Sequence, residues 1–425
     1  MVNCWQKQSS MPLGYLLHLL QQNRVVRRTD DVVVVIGDFG GTSCRLQLVA
    51  CPDLARKPDA SRPEDALFSA KYEHGGEDGD FGSLLAILRH FLEEASAVRC
   101  DRRIAMCSIA VCGPVVNGRC VMLAPCFGKD GWTADASALS LALGCPVTLL
   151  NDFHAVGLAL PLIPRSERWT LYAPPGDIGD DAHGDSTDDG DARGVLACLG
   201  PGTGLGQCYA VWADGRYKVC CSEGGMSDFV ARTPDEVALR DWLAGQCDDR
   251  EDDSSESSHF VDVEHVVSGE GIFNIYRWLR ETKPGLVNRA LDRKITRADH
   301  PAALIAEAAT GRAHAEGENG GDDGVDGDEL SEQAIDMFLR ALGAEAGNLA
   351  CRYQAHGGVF IVGGGIAKKL LPLIRDGRVA RAYAGKGRNF ACYSPCPLYV
   401  CSTDGDELGL IGAWQWACEQ MRLKS

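Results

Sequence analysis

Residues 32–36 are an unbroken run of four valines and an isoleucine, the length of a strand, and the glycines at 40 and 41 end it. Residues 45–50 then alternate polar and apolar side chains, as a strand with two unlike faces does. Together they predict a hairpin. Residues 81–95 repeat apolar positions at helical spacing, residues 104–111 read as a buried strand ending at Gly113-Pro114, and Asn117-Gly118 marks a tight hairpin turn. A short strand over 147–150 delivers Asn151 and Asp152 onto a helix that begins near Phe153. The second half repeats the plan: a strand over 195–199, a glycine turn, and a hairpin over 207–219 reversing at Asp214-Gly215. From Ser331 a long helix spaces Ile335, Phe338, Leu339, Leu342, Ala346, Leu349 and Tyr353 as a core-facing stripe. A strand over 359–362, three glycines opening a helix, a strand over 398–401 and a helix over 407–421 close the chain. Hairpin strands followed by strands that alternate with helices, twice over, predict two similar α/β lobes with facing loops.

Two loops stand out in that pattern. Asp38-Phe39-Gly40-Gly41-Thr42 and Gly200-Pro201-Gly202-Thr203-Gly204-Leu205-Gly206 each join one strand to the next through glycines and a threonine. Glycine lets backbone N–H groups approach an anion, and threonine adds a hydroxyl, so both suit phosphate. A dinucleotide-binding fingerprint needs its glycines to open a helix, and a P-loop needs Gly-Lys-Ser/Thr; neither loop meets these demands. Asp38-Phe39-Gly40 imitates a protein-kinase motif, but no His-Arg-Asp or strand lysine signature accompanies it.

Composition refines this. With 425 residues the chain exceeds one hydrophobic core, and two domains around a cleft are expected. The net charge of −17 is concentrated in three Gly/Asp/Ser-rich stretches: seven acids over 177–191, six over 248–256 and eight over 316–332, offset only by Arg250. The remainder is close to neutral, so these stretches read as mobile acidic insertions, with no EF-hand spacing. Nineteen cysteines lie scattered, often inside apolar strands, without zinc spacing; they read as reduced, packing cysteines. The apolar run 11–20 is too short to span a bilayer, and neither membrane nor nucleic-acid binding is expected.

Asp152, at a strand-to-helix junction, is read either as a general base or as a helix N-cap. Glu223, followed by Gly224-Gly225, and Glu264, ahead of Ser268-Gly269-Glu270-Gly271, supply carboxylates of the kind that bind neighbouring hydroxyls of a polyol.

In their order along the chain, six blocks resemble the bacterial-type glucokinase family of the hexokinase/actin-like ATPase superfamily. They are Gly37-Asp38-Phe39-Gly40-Gly41-Thr42, Leu149-Leu150-Asn151-Asp152-Phe153-His154-Ala155-Val156, the Gly200 to Gly206 loop, Glu223-Gly224-Gly225, Val263-Glu264-His265-Val266-Val267-Ser268-Gly269, and Gly357-Gly358-Val359-Phe360-Ile361-Val362-Gly363-Gly364-Gly365-Ile366. The resemblance runs from about Val32 to the end of the chain. It implies an α/β, two-lobed actin-like ATPase (ribonuclease H-like) fold with an interdomain cleft. An N-terminal extension would cover 1–30, a small domain 31–163, and a large domain 164–403 carrying insertions near 175–193, 247–259 and 313–332. The helix over 404–425 would return to the small domain.

The resemblance also implies the chemistry: ATP and Mg2+ as cofactors, and glucose or a similar hexose as acceptor. Gly37, Asp38, Phe39, Gly40, Gly41 and Thr42 would form one phosphate loop, Asp38 holding magnesium through water. Gly202, Thr203 and Gly204 would form the other, and Gly363, Gly364 and Gly365 would border the adenosine. Asn151, Asp152, Glu223 and Glu264 would hold the sugar, with Asp152 taking the proton from its 6-hydroxyl. A homodimer in the cytoplasm is implied, or a peroxisome-like organelle as in some protist relatives, although Leu423-Lys424-Ser425 is not a Ser-Lys-Leu address. Two departures bear on the sugar. Met226 replaces the usual His after Glu-Gly-Gly, and Leu123-Ala124-Pro125 replaces the usual Thr-Asn ahead of Trp132. Weaker glucose binding or another preferred hexose, such as mannose or an amino sugar, is the expectation; a non-catalytic sugar sensor and an actin-like filament or chaperone ATPase are the alternatives.

Overall fold

The valine run forms the centre of a sheet. In the computed structural model, which describes residues 32–41, 43–50, 62–63, 66–74, 81–122, 127, 131–174, 193–247, 260–315, 328–403 and 405–422, β1 (Val32–Phe39) pairs antiparallel with β2 (Ser43–Ala50). β2 pairs antiparallel with β3 (Phe68–Glu73). Thr42, the run 11–20, the segment around Pro125 and most of the three acidic stretches lie outside the described residues. β4 (Arg103–Val111) lies parallel to β1 on its other side. A small sheet of β5 (Val115–Val116), β6 (Arg119–Met122) and β7 (Trp132–Asp135) follows, and β8 (Val147–Asn151) completes the order β3-β2-β1-β4-β8.

Strand β1 runs three residues beyond its β-branched stretch, through Gly37. A Cβ there would lie 2.5 Å from Leu46 and 3.0 Å from Ile109, so the glycine lets its two neighbouring strands fill the space. Both faces of β1 are buried. Val33, Val35 and Phe39 pack with Ile87, Leu88 and Phe91 of helix α1 (Leu84–Glu94), which begins where the Ser83 hydroxyl accepts from Ala86 N at 3.2 Å. Val34 and Ile36 face the opposite way, onto Leu410, Ala413, Trp414 and Ala417 of the closing helix.

Strand β9 (Arg168–Tyr172), which no periodicity announced, forms the edge of a second sheet. Its other members are β10 (Leu196–Pro201), β11 (Leu205–Ala213), β12 (Arg216–Ser222), β13 (Gly358–Ile361) and β14 (Leu398–Cys401). The order β12-β11-β10-β13-β14-β9 repeats that of the first sheet and adds one strand. As before, an antiparallel hairpin precedes two strands parallel to the central one. Asp214 and Gly215, with φ of 53° and 77°, form the two-residue turn their sequence requires.

Two helices lie between the sheets. Helix α2 (Asp152–Ala159) leaves the end of β8, and Val156 and Ala159 pack with Leu196, Cys198, Cys208 and Ala210 of the second sheet. Helix α3 (Gly269–Thr282) and the long α4 (Glu329–Tyr353) cover the second sheet, α4 burying Ile335, Phe338, Leu339 and Leu342. Tyr353, at the end of the stripe, stacks on Tyr209 with centroids 4.2 Å apart. A short helix α5 (Gly365–Lys369) follows β13, and α6 (Gly405–Arg422) closes the chain. A Cβ at Gly412 of α6 would collide with the Ala155 carbonyl, so this glycine allows α6 and α2 to cross closely. No helix among the described residues is long and apolar enough to cross a membrane.

Candidate functional site

The first glycine turn reverses β1 into β2, with Gly40 N donating to the Ser43 carbonyl at 3.0 Å. Asp38, half-buried, points its carboxyl at α6: a Cβ on Gly409 would lie 2.6 Å from its Cγ. Two of the residues expected in this loop have other work. Gly37 lies inside the sheet, and the Phe39 ring is fully buried against the His74 ring at 4.4 Å. Because the strand continues to Phe39, its side chain alternates into the core, and Phe39 offers a nucleotide no side chain.

The second turn is tied down by backbone. Gly202 N donates to Gly204 O at 2.8 Å, and Gly269 N, at the start of α3, donates to Gly202 O at 2.9 Å. Gly202 and Thr203 are exposed. Gly363 approaches the Pro201 carbonyl and Gly405 approaches Gly363, with Cβ positions that would fall 3.3 and 3.4 Å away. The first turn of α6 therefore touches the three-glycine segment at Gly405, and Asp38 one turn later at Gly409. Both glycine turns border one helix N-terminus, where backbone N–H groups favour anions.

The N-cap reading of Asp152 is corrected by its neighbour. Asn151 caps α2, its Oδ1 accepting from His154 N at 3.1 Å, while its Nδ2 donates to Gly113 O at 3.1 Å and to Asp152 Oδ1 at 2.9 Å. Asp152 is the first helical residue, and its Oδ1 also accepts from Phe153 N at 2.8 Å. Burial pushes its carboxyl up to about 6; the Phe153 N–H opposes that shift and the charge of Glu223 adds to it.

Glu223 is exposed and shares a cavity of about 370 Å³ with Asn151, His154, Pro114, Cys221 and Trp416. The cavity is bounded by residues of both sheets' elements. Met226 N donates to Glu223 O at 3.0 Å, and Met226 is 60% exposed, not enclosed in a buried polar pocket. Glu264 ties the Glu223-Gly224-Gly225 segment to the second turn. Its N–H donates to Gly225 O at 3.0 Å, and its Oε2 accepts from Leu205 N at 2.7 Å beside Gly204.

Sequence reasoning passed over three participants. His265, next to Glu264, sits 2.6 Å from Asp262 through Nδ1, and that carboxylate raises its pKa. His154 lines the cavity, edge-on to Trp416 at 5.2 Å, with its pKa lowered by burial. Gly409 had no local signal, since its meaning lies in Asp38.

Residues 35–420 match the family model described as glucokinase. The chain is also 32% identical over 390 residues to a glucokinase of Synechocystis sp., covering 89% of this chain and 95% of that one. The chain belongs to the glucokinase family. A solved glucokinase from an Antarctic psychrotroph shares the fold with a TM-score of 0.61 at 24% identity, covering 93% of this chain and 100% of its own. A glucokinase from Balamuthia mandrillaris in complex with glucose superposes with a TM-score of 0.66 at 18% identity, covering 94% of this chain and 98% of its own. The fold of this glucokinase-family chain is accordingly the actin-like ATPase fold, with two sheets of one strand order.

Proposed function

We propose that the chain transfers the γ-phosphoryl group of ATP to the 6-hydroxyl of glucose. The observation that carries this is Asp152: a carboxylate whose pKa burial raises, oriented by Asn151 and close enough to Glu223 to feel its charge, beside the cavity that Asn151 and Glu223 line. Residues 31–163 with α6 act as one lobe and 164–403 as the other, in the cytosol, as a homodimer. Asn151, Glu223 and Glu264 hold the sugar, and Asp152 as carboxylate accepts the 6-hydroxyl proton as the phosphoryl bond forms. The Gly40 and Gly202 N–H groups close their own turns, so the backbone N–H groups of Gly41, Thr203 and Gly204 receive the phosphates, Thr42 and Thr203 adding hydroxyls, and Gly363 to Gly365 border the adenosine. Asp38 fits magnesium: it offers hard carboxylate oxygens at the end of β1, in space that Gly409 leaves open by lacking a side chain. Magnesium bound there through water would neutralise charge on the transferring phosphates. Two lobes around the site favour alignment and exclude water, which is most of what phosphoryl transfer needs.

Exposed Met226 favours a second reading, a broader or shifted hexose preference. ADP release measured with glucose, mannose and amino sugars ranks the acceptors. Asp152→Asn should lower kcat by roughly 10²–10⁴-fold with the KM for glucose little changed. The base must be ionised, so wild-type kcat/KM should fall tenfold per pH unit below about 6 and flatten above it. The residual rate of Asp152→Asn should lack that limb. Preserved turnover in this variant would overturn the assignment. A carboxyl raised in the folded state contributes stability at low pH that is lost as pH rises toward about 6. Asp152→Asn should therefore have a Tm at pH 8 no lower than wild type.

A further inference from the structure

Behind the first glycine turn lies an imidazole that the proposed mechanism leaves unused. His74 follows β3 directly, and the pairing of Ser43 with Glu73 sets it opposite the turn. It is 2% exposed. Its ring lies flat on Phe39, centroids 4.4 Å apart and planes 1° apart, while Phe127 stacks on it at 5.2 Å and Trp132 tilts against it at 5.6 Å. Stacking alone would be served as well by phenylalanine.

What phenylalanine lacks is a hydrogen-bonding edge. Among the described residues neither ring nitrogen of His74 has a partner at bonding geometry, a rare state for a buried polar group. Burial lowers its pKa, so the ring is neutral and carries one N–H donor; the carbonyls of Gly40 and Ser43 lie near enough to act in the opposite sense. A turn that presents N–H groups to phosphate must send its carbonyls the other way, and here that way leads to His74. We infer that His74 is a positioning residue for the first phosphate turn: its N–H bonds the Gly40 carbonyl when a nucleoside triphosphate seats, holding outward the Gly41 amide on the opposite side of the same peptide.

The inference rests on the assignment of this turn to nucleotide phosphate, and the test separates the two. AMPPNP with magnesium is titrated into wild type, His74→Phe and His74→Gln, by calorimetry and by KM for ATP. His74→Phe keeps the aromatic stack without the donor, and should weaken AMPPNP about tenfold and raise the KM for ATP alike, with Tm held and the KM for glucose within twofold. His74→Gln, which restores an N–H, should recover most of the lost affinity. In wild type, the ring ¹⁵N resonance of His74 should move toward a hydrogen-bonded N–H as AMPPNP is added, a reading that needs no variant to fold. An unmoved resonance, or His74→Phe binding AMPPNP as wild type does, overturns the role of His74 alone. Wild type that binds no AMPPNP overturns the nucleotide assignment and this inference with it.

Discussion

The β1–β2 turn and the β10–β11 turn occupy the same place in two sheets of the same strand order, yet the chain secures them by unlike means. The first is backed by rings: Phe39, His74, Phe127 and Trp132 fill the space behind it. The second is held by hydrogen bonds, from Gly202 to Gly204, from Gly269 to Gly202, and from Leu205 to the Glu264 carboxylate. A packed support does not respond to what occupies the acceptor site. A carboxylate that accepts from the turn and, as proposed, also reaches the sugar would respond, because moving it would change both. On the proposed function, duplicated topology would thus yield one turn that reads only the nucleotide and one through which acceptor and donor are coupled.

Glu264→Ala puts the coupling at greatest risk. It leaves the Leu205 N–H without its acceptor and removes the proposed sugar ligand, a loss of about 1–3 kcal/mol for the first effect alone. The KM values for glucose and for ATP should both rise, roughly tenfold to a hundredfold. A rise for glucose with ATP unmoved would show the second turn to be as independent as the first.

The first turn is tested from the helix side. Gly409→Ala places a Cβ within 2.6–2.9 Å of the Asp38 carboxyl, which must then leave its position. The KM for magnesium-ATP should rise about fivefold to tenfold and that for glucose should stay within twofold; overpacking should cost about 1–3 kcal/mol in thermal or urea unfolding. Equal losses for both substrates would place Asp38 in the coupled part of the site.

How much of this was legible in the chain differs between the same two regions. The strands around both turns were readable because an apolar run ending in glycine has few other solutions, and Asn117-Gly118 and Asp214-Gly215 fixed hairpins since their φ values, between 51° and 77°, suit those residues. Strand β9 escaped because its residues are mostly half-buried at an edge, which leaves no sharp alternation. Asp152 was recognisable as a candidate, but whether it or Asn151 caps α2 depended on one side-chain bond. Phe39 was assigned to the loop because a motif has no faces; the strand's twofold period sent its ring inward. The supports of the turns were least legible. His74, Gly409 and the Leu205 to Glu264 bond act across long stretches of chain, and only folding makes them neighbours.

The smallest expected effect concerns Met226. Were position 226 deeply buried, a missing imidazole would leave sugar hydroxyls unpaired, and restoring it would matter greatly. Met226 is instead 60% exposed, where water competes for the same hydroxyls. A net hydrogen bond there is worth about 0.5 kcal/mol, toward the low end for such bonds. Met226→His should therefore lower the KM for glucose only about twofold to threefold, leave ATP unaffected, and shift the ratio of glucose to mannose turnover by a similar factor. A drop of tenfold or more would mean that this position becomes part of a buried wall once the sugar is bound, and would bring position 226 into the coupled half of the site beside Glu264.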